Sequence, residues 1–315
     1  MWVADNWKDY EVIDTSKGEK LERWGEYRLV RPDPQVIWNT PKDNNKWRKK
    51  NGHYHRSKKG GGEWEFFNLP EEWQISYPLF TSDSAREFLE NENAASPIAK
   101  ELTFNLKPFS FKHTGLFPEQ AVNWDWMSRL ILKYRFNNPD EQPKILNLFA
   151  YTGGATLAAA ASGAHVTHVD ASKGMVNWAK ENAVSSGLKD APIRWLVDDC
   201  VKFVEREIRR GNIYDAIIMD PPSYGRGPKG EIWKIEESVY PLILKCAEIL
   251  SDRPLFFLIN SYTTGLQSAV LTYMLSTALS NRPGKCVASE IGLLVSENGL
   301  ILPCGASGRF EGTAE

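Results

Sequence analysis

Apolar residues follow two different patterns along the chain, and the change falls at about residues 109–120. After Pro143, short apolar runs alternate with longer segments in which apolar residues recur at helical spacing. The runs, which predict buried strands, lie at residues 144–150, 165–170, 193–197, 214–219 and 255–260. The longer segments, which predict helices, lie at residues 155–162, 173–186, 201–210, 238–250 and 267–280. Strands that alternate with helices predict a parallel sheet with helices on both faces.

The end of the chain predicts a change of strand direction. Residues 285–295 and 300–303 are two further strand candidates, and Asn298-Gly299 between them is a strong hairpin signal. The pattern as a whole predicts an α/β fold in residues 110–315. Its doubly wound, Rossmann-like, mostly parallel sheet has seven strands and ends in an antiparallel C-terminal hairpin.

The first 109 residues are rich in tryptophan, and turns interrupt their short apolar runs. The strands predicted there lie at residues 27–30, 35–38, 63–67, 74–77 and 103–106, and a short helix is predicted at residues 82–92. We therefore expect residues 1–109 to form a small, mainly β accessory domain that could contact the substrate.

Composition excludes several classes of protein. No stretch approaches 18 consecutive apolar residues, which argues against a membrane-spanning helix, and the N-terminal residues lack the pattern of a secretory signal. The four cysteines, Cys200, Cys246, Cys286 and Cys304, form no C-x-x-C pair. We therefore expect no metal site, no disulfide framework and a reducing, cytoplasmic setting.

A net charge of −2 conceals a basic segment at residues 41–60, where lysines and arginines far outnumber acids and Trp47, His53, Tyr54 and His55 are interleaved. Such a segment could follow a phosphate backbone and stack on bases. It could equally be a solvated, mobile loop, because three glycines follow it. The sequence leaves both interpretations open.

Ligands of an open α/β sheet bind at the carboxyl ends of its strands, and four such ends carry polar or glycine residues here. The first strand leads into a turn with Gly153 and Gly154, where backbone can approach a ligand and a helix N-terminus can bind an anion. A tight structural turn is the alternative. The adjacent glycines do not form the G-x-G-x-x-G fingerprint, which argues against a nicotinamide dehydrogenase.

Acidic residues follow the second and third strands. Asp170 could accept hydrogen bonds from both hydroxyls of a ribose, or it could cap the next helix, a role that Ser172 could take instead. Asp199, after Asp198, could receive an adenine amino group while the next backbone N–H reaches a ring nitrogen. Capping of the helix at residues 201–210 is the alternative for that acid.

The fourth strand end is the most specific, because it reads Asp220-Pro221-Pro222-Ser223 after a buried strand. The two prolines fix the backbone and remove two N–H donors, so that a rigid turn presents Asp220 and neighbouring carbonyl groups. A planar substrate could bind there. A plain surface turn rarely has this sequence.

Together these motifs resemble the class I S-adenosylmethionine-dependent methyltransferases, and within them the branch of large-subunit ribosomal RNA base methyltransferases. Residues 113–120, before the fold, and residues 302–305, near its end, are similar to segments of that branch. The resemblance covers about residues 109–310, whereas residues 1–109 do not match the PUA domain that several relatives carry.

The resemblance implies S-adenosylmethionine as cofactor and RNA, ribosomal RNA in particular, as the partner, without a membrane or a metal. It implies that the residues beside the reacting base are Asp220, Pro221, Pro222 and Ser223. It further implies that the cofactor-binding residues are Thr114, Gln120, Phe149, Ala150, Tyr151, Thr152, Gly153, Gly154, Asp170, Ala171, Ser172, Asp198, Asp199 and Cys200.

The position of the cysteines bears on the atom that is methylated. Relatives that methylate C5 of cytosine use a cysteine nucleophile just after the fifth strand, where this chain has Asn260, Ser261 and Tyr262. We therefore predict transfer to a base nitrogen without a covalent intermediate. Methylation of a protein or a small molecule, or cofactor binding without turnover, remain the alternatives at this stage.

Overall fold

The computed structural model describes residues 1–57, 61–81, 96–109, 112–226 and 232–313 of the chain. The chain forms two compact units. Unit 1 consists of Met1–Pro78, Glu101–Val122 and Ile291–Cys304, and unit 2 consists of Leu79–Lys100, Asn123–Glu290 and Gly305–Glu315. In the described part of the chain, no helix is both long and apolar enough to span a bilayer.

Unit 2 holds the alternating strands and helices. Its strands are β9 (Lys144–Leu148), β10 (His165–Asp170), β11 (Ile193–Val197), β12 (Ala216–Met219), the short pair β13 (Tyr224–Arg226) and β14 (Ile232–Lys234), and β15 (Phe256–Ser261). Its helices are α3 (Gly154–Ala161), α4 (Lys173–Ser185), α5 (Cys200–Arg210), α6 (Ile235–Glu248) and α7 (Ser268–Ala278). The strands β16 (Gly284–Leu294) and β17 (Ile301–Gly312) and the helix α2 (Ala121–Asn137) run through both units.

The central strand of unit 2 is β9, which lies between β10 and β12 and pairs with both in parallel. Strand β11 continues the sheet beyond β10, and β15 continues it beyond β12, both in parallel, while β17 pairs with β15 in antiparallel. This arrangement confirms the predicted doubly wound fold and its reversed C-terminal strand. The strand order reverses at β9, which is where such sheets bind ligands.

Burial explains why the strands of unit 2 read as continuous apolar runs. All four residues of β12 and the six of β15 are buried, because helices cover both faces of the sheet. Helices α3, α4 and α5 begin directly after strands, and Gly211 ends α5 in the left-handed conformation that glycine favours.

Helix α2, with 17 residues, is not among the predicted elements. Its apolar residues Trp124, Met127 and Ile131 recur at helical spacing and are buried, so the signal was present. The apolar pattern of this helix is nevertheless interrupted, because polar residues such as Asn123 and Ser128 are buried together with the apolar ones.

Unit 1 is built mainly from strands, as predicted for the N-terminal part of the chain. A five-stranded sheet joins, in chain order, β2 (Tyr10–Ser16), β3 (Glu19–Trp24), β4 (Tyr27–Pro32), β5 (Gly52–Arg56) and β6 (Gly62–Phe66). A separate antiparallel pair consists of β7 (Trp73–Pro78) and β8 (Glu101–Leu106). A short helix, α1 (Asn44–Arg48), precedes β5.

Three details of the fold differ from the predictions. Residues 35–38 are not a strand; Val36 and Trp38 use their carbonyl oxygens to accept hydrogen bonds from the β2–β3 turn. The basic segment is not a loop throughout, since it contains α1 and β5. The sheet has eight strands rather than seven, because β1 (Trp2–Val3) pairs in parallel with Ile291 and Gly292 of β16.

Other predictions stay as they were. The helix predicted at residues 82–92 lies outside the described residues. The division of the chain into domains of residues 1–109 and 110–315 stays a prediction too, because compactness does not test independent folding.

A buried group of charged residues stabilises unit 1. Glu22 is fully buried on β3 and accepts hydrogen bonds from the guanidinium group of Arg31 at 2.6 and 2.8 Å and from the Tyr10 hydroxyl at 2.7 Å. Lys20 lies 3.5 Å from Glu22 and 3.3 Å from Asp33. Burial alone would raise the pKa of Glu22, but the charges of Arg31 and Lys20 lower it to about 2.

Replacement of Glu22 by glutamine is expected to lower the free energy of unfolding by about 3–5 kcal/mol at pH 7, because the buried Arg31 loses its counter-charge and Lys20 keeps only Asp33. A carboxylate with a lowered pKa in the fold stabilises above its unfolded pKa, and that stability is lost as the pH falls toward about 2. The difference between Glu22→Gln and wild type should therefore shrink below about pH 4.5.

Urea titrations followed by tryptophan fluorescence measure this difference. The matched control is Glu72→Gln, which breaks an exposed pair with Lys107 and should cost less than about 1 kcal/mol. Equal losses in the two variants would contradict a structural role for the buried group.

Candidate functional site

The carboxyl ends of four strands of unit 2 meet at one edge of the sheet. Val169 and Met219 both stand opposite Leu148 in the strand register. The residues that follow are Phe149, Asp170 and Asp220, which therefore lie side by side. Asp198 extends the row, since its backbone N–H donates to the Asp170 carbonyl at 3.0 Å. The sequence motifs singled out above are thus brought together by the register of the sheet.

The turn after β9 has an unusual backbone. Phe149, Tyr151 and Gly153 have positive φ angles of 55°, 51° and 89°. Positive φ is uncommon for residues other than glycine and is often found at functional sites. The turn leads into α3, whose N-terminus has no side-chain cap, so its first N–H groups can bind an anion.

Asp170 holds this turn in place. Its carboxylate accepts hydrogen bonds from the backbone N–H groups of Tyr151 and Ser172, both at 2.8 Å. Burial raises the pKa of Asp170, against the lowering effect of these two N–H groups. Ser172 caps α4 by accepting from Met175, so the cap is Ser172 and not Asp170. Each Asp170 oxygen retains a lone pair for a further donor.

A buried polar group lies behind the turn. Asn147 donates to the Thr156 hydroxyl at 2.9 Å, which leaves the hydroxyl proton for Nδ1 of His168, also at 2.9 Å. His168 is neutral, because burial lowers its pKa to about 3. Asn182 donates to the Thr152 carbonyl at 2.9 Å. These bonds fix both the start of α3 and the turn before it.

The two glycines of the turn serve different purposes. Gly153 needs its positive φ, and a Cβ there would lie 3.0 Å from Ala179. A Cβ on Gly154 would lie 2.6 Å from the indole ring of Trp124 on α2. Close packing against Trp124 is therefore one reason for Gly154, which the sequence attributed to the approach of a ligand.

The acids after β11 are already engaged. Asp199 caps α5, since its carboxylate accepts from the Lys202 N–H at 2.9 Å, and Asp198 forms an ion pair with Arg206. The capping alternative is thus confirmed for Asp199, whose second carboxylate oxygen can still accept a hydrogen bond. Cys200 is buried and its sulfur accepts from the Phe149 N–H at 3.2 Å. As the first residue of α5, Cys200 has a backbone N–H without a partner in the helix.

The Asp220-Pro-Pro-Ser turn lies against an aromatic surface. The indole N–H of Trp233 donates to the Pro222 carbonyl at 2.6 Å, and the Trp233 ring packs against Phe149 with 5.2 Å between ring centroids. Ser223 shares a hydrogen bond with Thr263 at 2.6 Å. Pro221 is buried, whereas Pro222 and Ser223 are exposed.

Residues outside the motif hold this turn in place. Trp233 donates to the Pro222 carbonyl, and Thr263 shares a hydrogen bond with Ser223. Residues 224–226, directly after the turn, form β13, which pairs with β14. Trp233 and Thr263 were missed, because neither belongs to a recognisable motif.

Four predicted site residues remain to be placed. Ala150 is buried and donates to the Val169 carbonyl at 3.1 Å, while Ala171 is exposed at the end of β10. Thr114 and Gln120 are buried residues of unit 1, whereas the other predicted site residues belong to unit 2. Their part in cofactor binding stays a prediction.

A group of possible metal ligands lies in unit 1, where the nitrogen atoms of His53 and His55 and a carboxylate oxygen of Glu65 approach within 4.8 Å of one another. These side chains also have hydrogen-bond partners within the protein. Nε2 of His53 lies 2.7 Å from Oε1 of Glu19, and Nε2 of His55 lies 2.9 Å from Oε2 of Glu65. The expectation that the protein has no metal site stays a prediction.

The edge of unit 2 therefore offers an uncapped helix N-terminus, a half-buried carboxylate with free lone pairs and a rigid acidic turn beside aromatic rings. The fold is that of a class I methyltransferase, and the groups at this edge fit an adenosyl amino acid such as S-adenosylmethionine. A sequence profile of the S-adenosylmethionine-dependent methyltransferases matches residues 75–244, more than half of the chain. The chain belongs to that family.

Solved structures are similar over nearly the whole chain. The S-adenosylmethionine-dependent methyltransferase from Agrobacterium tumefaciens is 33% identical, with a TM-score of 0.83 over 98% of this chain and 92% of that one. A candidate methyltransferase solved in complex with S-adenosylhomocysteine is 18% identical, with a TM-score of 0.69 over 98% of this chain and 76% of that one, and shows the same fold.

Among the curated relatives are enzymes named ribosomal RNA large subunit methyltransferase K/L. That from Pseudoalteromonas atlantica is 34% identical over 149 residues, which are 47% of this chain and 19% of the relative. That from Shewanella frigidimarina is 30% identical over 150 residues, which are 47% and 20%. The matched part of the chain therefore spans about a fifth of these relatives.

Replacement of Gly154 by alanine is expected to destabilise unit 2 by about 1–3 kcal/mol, since the new methyl group overlaps the buried ring of Trp124. It should also weaken the binding of S-adenosylhomocysteine, because the start of α3 has to shift. Thermal unfolding and calorimetry measure the two effects.

The control is Gly174→Ala, also in the first turn of a helix. A Cβ there meets only Ser172 Oγ, at 3.8 Å, so helix propensity should leave stability unchanged or raise it by about 0.5–1 kcal/mol. If Gly154→Ala behaved like this control, the packing role of Gly154 would be wrong.

Proposed function

We propose that this enzyme methylates a nitrogen atom of a base in RNA, with ribosomal RNA as the substrate class. The observation that carries the proposal is the rigid turn at Asp220, which lies directly beside the rings of Phe149 and Trp233. A flat substrate can lie against the rings while its polar edge faces the turn. Nucleic acid bases combine a flat ring with such an edge.

The cofactor roles follow from the strand ends. Residues 149–154 surround the methionine part, and the N-terminus of α3 takes its carboxylate. Asp170 accepts hydrogen bonds from the ribose hydroxyls with its remaining lone pairs. The second carboxylate oxygen of Asp199 accepts from the adenine amino group, and the Cys200 N–H donates to a ring nitrogen. Thr114 and Gln120 of unit 1 are proposed to contribute as the family resemblance implies.

The state of the cysteines supports transfer to nitrogen. Attack on a pyrimidine C5 needs a thiolate, whereas a base nitrogen can attack directly. Burial raises the pKa of all four thiols, Cys200, Cys246, Cys286 and Cys304, so none is poised as a thiolate at neutral pH. Cys200, which follows the carboxyl end of β11, also accepts a hydrogen bond from the Phe149 N–H.

The protein's contribution to the reaction is positioning and electrostatic support. When bound, S-adenosylmethionine supplies a methyl group activated by the adjacent sulfonium. Asp220 accepts a hydrogen bond from the amino group or ring N–H of the base and stabilises the positive charge that develops there. The Pro221 carbonyl is proposed as a second acceptor, because the two prolines fix the backbone of the turn that carries it. The rings of Phe149 and Trp233 keep water from one face.

RNA is favoured as the partner by the names of the relatives and by the free basic residues of unit 1. Lys42 and Lys46 of the basic segment are not available, because they pair with Glu19 and Glu297. Arg48 and Lys49, in contrast, are exposed. The described part of the segment thus contains a helix and a strand that carry exposed cations.

The substrate is tested by incubating the enzyme and methyl-labelled S-adenosylmethionine with ribosomal RNA from cells in which its gene is disrupted. Label in RNA, located by mass spectrometry of nucleosides on a nitrogen, is the expected result. Label on C5, or label in added protein and none in RNA, would overturn the proposal.

Replacement of Asp220 by asparagine is expected to lower the rate of methyl transfer about 100-fold or more, because an oriented charge is removed from beside the reacting atom. S-adenosylhomocysteine affinity, measured by calorimetry, should remain. Asp190→Asn, which changes an exposed acid of the same unit, is the control and should be fully active. Full activity of Asp220→Asn would refute the assigned role.

Replacement of Asp170 by asparagine is expected to weaken S-adenosylhomocysteine binding about 10- to 100-fold, the effect of about one hydrogen bond to a charged group. Because the pKa of Asp170 is raised, the carboxylate protonates at a higher pH than an ordinary aspartate, whose pKa is about 3.9. Wild-type affinity should therefore fall as the pH is lowered, beginning above that value.

The variant Asp170→Asn should lack this acidic decline, while Asp190→Asn should keep it. Calorimetric titrations over a series of pH values provide the measurement. An acidic decline of the same size in all three proteins would show that Asp170 is not its source.

A further inference from the structure

A cavity of about 390 Å³ lies within unit 1, at the end of the five-stranded sheet where β4 and β5 end and β6 begins. The side chains that define its chemistry are those of Pro32, Pro34, Tyr54, Arg56, Lys112 and His113. None of the described residues that line the cavity is acidic. Its volume falls in the lower part of the range of about 300–1,000 Å³ that is usual for small-ligand pockets.

Two cations face this cavity. Arg56 is exposed at the end of β5. Lys112 is held in place, since its ammonium group donates to the Pro32 carbonyl at 2.9 Å and its own carbonyl accepts from Arg31 at 3.0 Å. The nearby acid Asp33 already pairs with Lys20.

The positive charge at Lys112 is only partly compensated. Burial, together with the charge of Lys20, lowers the pKa of Lys112 to about 8. Asp33 and Glu22 act in the opposite direction but do not restore the usual value. An anion bound beside Lys112 would relieve this cost.

The remaining walls are flat and uncharged. Burial, with the charges of Arg31 and Lys112, lowers the pKa of His113 to about 4, so its ring is neutral at pH 7. The ring of Tyr54 is fixed by close packing on Gly62, where a Cβ would lie 2.7 Å from it. The Tyr54 hydroxyl is buried and has no hydrogen-bond partner among the described residues.

We propose that this cavity binds a single nucleotide of the RNA substrate, with the phosphate at Arg56 and Lys112 and the base against His113 and the proline rings. The inference rests on the proposed function and assigns to unit 1 a specific role in it. Cations, neutral rings and the lack of a lining acid together match a ligand that is both anionic and flat. The cavity volume limits the bound part to about one nucleotide.

The test uses the full-length enzyme and a fluorescein-labelled, single-stranded RNA of ten nucleotides with mixed sequence. Fluorescence anisotropy is measured for wild type, Arg56→Ala, Lys112→Ala and His113→Ala. The matched control is Lys8→Ala, which removes an exposed lysine of the same unit that lies outside the basic segment and does not line the cavity. Unchanged S-adenosylhomocysteine binding and thermal midpoint establish that each variant is folded.

Arg56→Ala and Lys112→Ala are expected to weaken RNA binding about threefold to tenfold. Each should also reduce the slope of log affinity against log salt by about 0.7, the value of one phosphate contact to a single strand. His113→Ala should weaken binding at all salt concentrations without changing the slope, since stacking does not release counterions. Variants that match wild type, or that lose no more than Lys8→Ala, would overturn the proposal.

Two further arms separate the alternatives. Competition with the four ribonucleoside 5′-monophosphates distinguishes the source of the nucleotide. One outcome is that the monophosphates displace the labelled RNA as well as unlabelled RNA does, while the cavity variants still bind RNA but no longer bind the monophosphates. In that case the cavity takes a free nucleotide and the assignment to RNA is wrong.

Methyl transfer to ribosomal RNA is measured for the same proteins. The expected result is a higher KM for RNA with kcat retained in the cavity variants. A wild-type enzyme that methylates no RNA would overturn the proposed function. If wild type is active and every cavity variant has the wild-type KM for RNA, the role of the cavity is wrong but the proposed function stands.

Discussion

The structure depends most on the in-register parallel pairing of β9 with β10 and β12. Because side chains and strand ends follow the register, this pairing alone decides that Phe149, Asp170 and Asp220 emerge at one edge of the sheet. A shift by one residue would carry every apolar side chain of β9 to the opposite face. The buried helices on both sides exclude such a shift, so the packing of the core and the geometry of the site have a common cause.

The structure of that edge depends on polar groups that are buried at a cost in desolvation free energy. Burial disfavours the charged form of Asp170 and raises its pKa. Its carboxylate nevertheless accepts hydrogen bonds from the backbone N–H groups of Tyr151 and Ser172, and the bond to Tyr151 holds the turn of residues 149–154 in place. The neutral His168 and its partners Thr156 and Asn147 brace the same turn from the core. Unit 1 uses the same principle with Glu22 and Arg31, where two buried groups of opposite charge satisfy each other. In both places a buried polar group specifies backbone position more closely than apolar packing could.

Most of unit 2 could be predicted from the sequence, because a buried parallel strand and an amphipathic helix have different periods. The observed bounds of β10 and β11 equal the predicted ones. Unit 1 was harder, since β2 and β3 contain charged residues whose partners are distant in the chain, as Glu22 and Arg31 illustrate. In the site, the motifs named the right strand ends, but Trp233, the capping role of Asp199 and the reason for Gly154 depend on tertiary contacts. Spacing alone carries no information about those.

The route of the chain has a consequence for how the protein is made. Unit 1 includes Ile291–Cys304, and Glu11 and Val12 of β2 bond to Ser296 of that segment. During translation the ribosome must complete the intervening stretch of unit 2 before these partners emerge. At a synthesis rate of about 5–20 residues per second, the first strands wait on the order of ten seconds or more. A nascent chain in that interval exposes part of a sheet that residues 291–304 complete only later, so chaperone binding during synthesis would act on β2 and its neighbours rather than on residues 291–304.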